Sequence, residues 1–369
     1  MSVQQSLQTT PPESFTDPLT PPATDEKTKA TCISSVISEI RRRKHGHSLS
    51  GKPWHRFVLD AHQYKDLQRH LQLDSSLWDY FVHKLRHDYF PSAKLLILRM
   101  PGLLHESLAS YVTQEITLQL RAIAQSDSPS AEFAGDIDNN ASAEINFTDA
   151  EYGSHQPDAS FQHFNAQYPG VIIELSYSQK KKDLSRLANE YILGSDADIR
   201  VVIGIDVEYK GSKRATISMW RPQIVINDAG EGELCAIQTV TDQLFCDDVG
   251  NLVLNPEASI HLRLEDFGTE AFATTFNDLT EPIHISPETL YRFLKRSEAK
   301  ATRVRQGQGL ARSSKPWTRK RRRDSTPPEQ LSSDREGKFA DEEQRATKRA
   351  TKDDASYKTS SSEAEVEAE

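Results

Sequence analysis

Between Pro157 and Tyr191 the chain reads PDASF, then an apolar run VIIEL at Val171–Leu175, then ELSYSQKKKDLSRLANEY from Glu174 onward. A second apolar run, IRVVIGIDV, occupies Ile199–Val207. Runs of this kind belong to strands covered on both faces. Leu184, Leu187, Ala188 and Tyr191 mark one side of a helix between them. A carboxylate inside VIIEL is costly to bury without a counter-ion, so a cation is expected beside Glu174. Asp158 enters the preceding strand and is the natural second carboxylate for a shared divalent metal. Arg186 or Lys182 would be the structural alternative.

The remaining pattern frames this segment. Thr31–Arg43 reads as a short helix. Trp78, Phe81, Val82 and Leu85 fall at helical spacing, in a helix closed by Pro91. Lys94–Met100 (KLLILRM) has the length and composition of a strand. Leu104, Leu108, Val112, Ile116, Leu120 and Ile123 form a stripe along a long helix over Leu103–Ala124. Glu132–Ile137 and Ala141–Phe147 read as strands joined at Asn139-Asn140, and Asp158–Phe164 and Ala215–Trp220 as two more. This order predicts an α/β fold with a central mixed sheet flanked by helices. Residues 31–93 read as a helical N-terminal extension, 94–222 as the core, and 223–296 as an α+β extension of it. Residues 1–30 and 297–369 are poor in large apolar side chains. They are expected to stay disordered, since ordering the backbone costs roughly 1–2 kcal/mol per residue.

The formal net charge of −9 conceals a split. From Arg292 to Arg323 the only carboxylate is Glu298, whereas acidic residues prevail from Asp324 to Glu369. Lys315–Arg323 (KPWTRKRRR) reads as a nuclear localisation signal for an import receptor. It would serve equally as an arm held to nucleic acid by counter-ion release. Three distant cysteines argue against a disulfide framework or a zinc site and suit a reducing compartment. No stretch has the apolar length of a membrane span, so a soluble nuclear protein is expected.

Hydrolysis of a phosphodiester needs an activated water and stabilisation of the leaving oxygen, and Mg²⁺ (or Mn²⁺) supplies both. Mg²⁺ takes oxygen ligands and retains several waters. Asp158, Glu174 and the backbone carbonyl of Leu175 would therefore suffice as protein ligands. Lys180–Lys182 read most simply as a solvated helix start, but cations there oppose the helix dipole, a mismatch that slightly favours a phosphate-facing role. Gln179 adjoins them and would orient water or substrate. DNA is the expected substrate.

These residues resemble the PD-(D/E)XK nuclease superfamily, and within it the restriction-endonuclease-like branch containing Uma-type proteins and uncharacterised fungal relatives. The matching features run in order. A helix carries His105-Glu106. A PDxSF strand follows (Pro157, Asp158, Ser160, Phe161), then a strand end with Glu174, Ser176 and Ser178. A helix with Asp183, Leu187 and Tyr191 and a closing SMWRP at Ser218–Pro222 complete the set. The resemblance covers residues 94–222 and implies an αβββαβ core. It also implies a metal-dependent nuclease with Glu106 as a further metal carboxylate, a role for which Glu115 competes. The superfamily places a lysine two residues after the glutamate, where this chain has Ser176. Lys180 or Lys182 would have to replace it. Without that replacement, the resemblance implies a module that binds nucleic acid or protein without cutting.

Overall fold

The computed structural model describes residues 25–46, 54–177, 181–208, 211–227, 230–276 and 278–308. The first helix, α1 (Asp25–Lys44), buries Val36 and Ile40 and ends in Arg41–Lys44, cations that suit the negative end of a helix dipole. β1 (Trp54–Val58) follows. Asp60 starts α2 (Ala61–Gln72) through a reciprocal capping box with Gln63, and Asp74 caps α3 (Ser75–His83) by accepting from the Leu77 N–H. Helix α3 stops at His83 rather than running on to Pro91, because the next residues pair into a sheet. β2 (Arg86–Phe90) and β3 (Leu95–Arg99) form an antiparallel pair that sets Arg86 opposite Arg99.

The long helix α4 (Leu103–Ala124) follows, burying Leu108, Val112, Ile116 and Leu120 as its stripe requires. Then come α5 (Ala131–Gly135), β4 (Ile137–Asn139), β5 (Ile145–Asn146) and β6 (Ser154–His155). The expected hairpin at Asn139-Asn140 does not form. Residues 131–135 are helical, and β4 pairs with β7 (Ala159–His163) instead of with β5. The turn signal is real, but long-range pairing takes the strand edge.

β8 (Val171–Tyr177), α6 (Lys181–Gly194) and β9 (Val201–Val207) form the central unit, with β8 and β9 parallel. β10 (Ala215–Ile226) and β11 (Gly232–Cys246) extend it as a long hairpin. β12 (Ile260–Arg263), α7 (Glu270–Ala273), β13 (Pro282–Ile285) and α8 (Pro287–Arg305) complete the described chain. Helix α8 continues to Arg305, past the point where composition suggested that order ends, and α1 likewise begins before Thr31.

Two main sheets result. One is antiparallel, in the order β1-β3-β2-β6-β5, and packs against α1–α3. The other is mixed, in the order β11-β10-β9-β8-β7-β4. Alternation along β8 divides its side chains. Val171, Ile173 and Leu175 join the core under α4, while Ile172 joins the core under α6 with Trp220, Leu187 and Tyr191. The fold is therefore mixed α/β, with helices on both faces of a mixed sheet. Among the described residues no helix is long and apolar enough to cross a membrane, and Cys32, Cys235 and Cys246 are free thiols.

Candidate functional site

The chain crosses from the first sheet to the second at Gln156–Asp158, and the polar cluster forms at that crossing. β7 and β8 pair as Ala159 with Ile173 and Ser160 with Ile172. Extending this register by one residue sets Asp158 opposite Glu174 on the same face. Sequence spacing alone pointed to that convergence. The Asp158 carboxylate then caps the neighbouring strand, its Oδ2 accepting the Leu175 N–H at 2.7 Å.

A guanidinium lies between the two acids. Arg99, at the end of β3, is 3.2 Å from Glu174 Oε2 and 3.5 Å from Asp158 Oδ1 through the same Nη1. Its Nε stands 2.9 Å from Asp88 Oδ2. Its Nη2 donates to Asp88 Oδ1 and to the Gln156 carbonyl. Arg86 adds a second cation, with Nη1 2.7 Å from Asp158 Oδ1 and Nη2 3.1 Å from Glu106 Oε1. Pairing of β2 with β3 explains the placement. Arg86, Asp88 and Arg99 share one face of the first sheet, and that face looks toward the second.

The remaining acceptor positions are also filled. His105 Nε2 lies 3.0 Å from Asp158 Oδ2 and 3.2 Å from the Leu175 carbonyl oxygen. Tyr191, from α6, donates its hydroxyl to Glu174 Oε1 at 2.7 Å. Behind this layer His155 is fully buried between Asp88, at 3.8 Å, and Glu190, at 3.6 Å.

Burial penalises the ionised Asp158, but His105, Arg99 and Arg86 outweigh it and hold the carboxyl well below its ordinary range. Burial also dominates at Glu174, which is pushed up to about 7 despite Arg99, with the charges of Asp158 and Asp88 acting in the same direction as burial. Burial opposes protonation of His155. Asp88 and Glu190 favour it and prevail, raising its pKa. Burial also lifts the Tyr191 hydroxyl well above its usual value, so it stays a donor.

The residues present do not fit a hydrated divalent ion as arranged. The side chain of Asp158 is 0 % exposed and that of Glu174 1 %, so a phosphodiester in solution cannot reach either. The cavity beside Arg99, Glu174 and Ser176 measures about 20 Å³, room for about one water, whereas Mg²⁺ retains several. Each ligand expected from sequence already has a partner. Among the described residues no group of three histidines, cysteines or acids is arranged to hold a metal.

Glu106 does reach the cluster, through Arg86, but stands at its rim with 47 % of its side chain exposed. Glu115 instead accepts from Gln119 on its own helix. Ser176 shares the face of Glu174, and its Oγ is buried without a hydrogen-bond partner. Gln179 and Lys180 lie outside the described residues, as does Lys315–Arg323. Lys182 belongs to the first turn of α6, and its side chain lies outside the description. Arg186, which lies over the Phe90 ring, is not the described ion partner of Glu174. That partner is Arg99. Sequence reasoning missed Arg86, Asp88 and Arg99. The available signal was a charge closing the buried strand LLILR, the mirror of the carboxylate in VIIEL. Comparison with protein-family models, with curated proteins and with solved structures finds no match to this chain.

Proposed function

We propose that this protein is a restriction-endonuclease-like module that binds nucleic acid in the nucleus without cutting it. The observation that carries this reading is the Arg99 guanidinium between Asp158 and Glu174. In a cleaving site that space would belong to the metal. Here a permanent cation neutralises the same acids, leaving no coordination position for substrate. Ser176 in place of the superfamily lysine supports the same reading. A nuclear location is supported by the Lys315–Arg323 tract alone.

A second reading, a Mg²⁺- or Mn²⁺-dependent nuclease acting on DNA, is favoured by one observation: Asp158 and Glu174 face each other across adjacent strands with Glu106 nearby. It requires Arg99 to withdraw from both acids. The two readings separate when the full chain is incubated with supercoiled plasmid and with single-stranded DNA in Mg²⁺ or Mn²⁺. The binding module retards the DNA and leaves it intact. Metal-dependent nicking that disappears in Asp158→Ala and in Glu174→Ala would establish the nuclease and end the first reading.

A further inference from the structure

Helix α8 presents a row of cations whose charge nothing in the described structure neutralises. Pro287, Leu290, Leu294 and Ser297 form its buried side. On the opposite side stand Arg292, Arg296, Lys300 and Arg303, all exposed. At 100° per residue these four fall within one narrow arc of the helix surface. None has an acidic partner among the described residues. Glu298 is engaged by Lys295, Nζ to Oε2 at 3.0 Å.

Two of the four are held in place by aromatic rings. The Arg296 guanidinium lies 5.1 Å from the centre of the Tyr111 ring, and Arg292 lies 5.6 Å from that of Phe293. Tyr111 and Phe293 themselves stack at 5.6 Å, joining α8 to α4. Such support lowers the conformational entropy lost when the cations engage a ligand. Arg303 and Arg305 suit the helix's C-terminal dipole whatever else they do. Arg292, Arg296 and Lys300 lie before the last turn and gain little from it.

Position adds to charge. Gln119, late in α4, donates to the His284 carbonyl and accepts from the His284 N–H, just before α8, each at 2.8 Å. Phe293 meets Tyr111, earlier in α4. The two helices therefore run antiparallel, and the later turns of α8 head toward the first turn of α4, which carries His105 and Glu106. The sequence following α8 remains basic to Arg323.

We infer that the Arg292–Arg296–Lys300–Arg303 row is a docking surface for the phosphate backbone of duplex nucleic acid. This inference rests on the binding reading above and names the surface that reading needs. Residues four apart on a helix rise about 6 Å, so the row spans roughly 16 Å. One strand of B-DNA presents about five phosphates over that length. Large apolar side chains that would enter a bilayer are absent from the row, and Val304 is the only exposed large apolar side chain on this helix.

The test measures binding of a fluorescent duplex of about 20 base pairs by the full chain between about 50 and 200 mM salt. It compares wild type with Arg292→Gln/Arg296→Gln/Lys300→Gln/Arg303→Gln. The quadruple variant should lose about 0.9 units of salt slope per removed contact, and on the order of 100-fold in affinity at the low-salt end. Arg292→Gln/Lys300→Gln, which spares the contact with Tyr111, should lose about half of that slope and keep the wild-type melting temperature. Unchanged slope and affinity in that folded double variant would overturn this surface and leave the binding reading standing. Loss of binding to phosphatidylserine vesicles with duplex binding intact would overturn it in favour of a membrane. Failure of wild type to bind the duplex at all would remove both.

Discussion

An arginine holds carboxylates through directed donors, five N–H groups in a fixed fork. Arg99 spends that fork on Asp88, Asp158, Glu174 and the Gln156 carbonyl, and so fixes acids from β2, β8 and the segment entering β7 relative to one another. Glu174 is the least comfortable of them. It is held up to about 7, chiefly by burial, above its ordinary 4.5. Between those values the folded protein keeps a proton that the unfolded chain releases, so this residue makes stability fall as pH rises through the window. Asp158 works in the opposite sense. Its contribution is present above its unfolded pKa and is lost as pH falls toward its lowered folded one. Glu174→Gln should therefore flatten the decline in stability between about pH 4.5 and 7. Urea unfolding midpoints across that range measure it. A decline as steep as in wild type would mean that Glu174 is already ionised at the low end.

At the scale of elements, the site depends on where β8 begins. Gly170 precedes β8, and a Cβ there would meet the Asp266 carbonyl oxygen and lie 2.5 Å from the Phe267 carbonyl carbon. Those are backbone atoms that cannot swing aside. Gly170→Ala should destabilise the fold by about 1–3 kcal/mol, read as a lower thermal midpoint. A neutral result would show that the segment carrying Asp266 and Phe267 moves freely relative to β8. The central elements were legible in sequence because their signals are local. The runs VIIEL and IRVVIGIDV and the stripe from Leu104 to Ile123 each carry their own periodicity. Arg86–Phe90 was not legible. Its residues continue a helical pattern, and they become a strand only because β3 and β6 flank them. Asn139-Asn140 likewise carries a proper turn signal that pairing with β7 overrides. The facing of Asp158 and Glu174 followed from strand spacing. Arg99 did not, because it comes from the other sheet, 75 residues before Glu174 in the chain.

At the scale of the molecule, two sheets meet at one charged seam, with Arg86, Asp88 and Arg99 on one side and Asp158 and Glu174 on the other. The seam joins the N-terminal sheet to the mixed sheet in place of an open cleft, while the cationic row of α8 lies outside it on the surface. Removing one partner from a buried charge cluster typically costs about 3–5 kcal/mol, because the others remain buried and uncompensated. Arg99→Ala should incur such a loss. It should also open space beside Asp88, Asp158 and Glu174, while Arg86 and His105 stay on Asp158 and Tyr191 on Glu174. Thermal melting of wild type and Arg99→Ala, each with and without millimolar Mg²⁺ or Mn²⁺, is the most direct test of whether the guanidinium stands in for a metal. Wild type should melt at the same temperature with or without the ion, and the variant should melt lower and regain part of the difference when the ion is added. Stabilisation of wild type itself by the ion, with no such gain in the variant, would contradict the account.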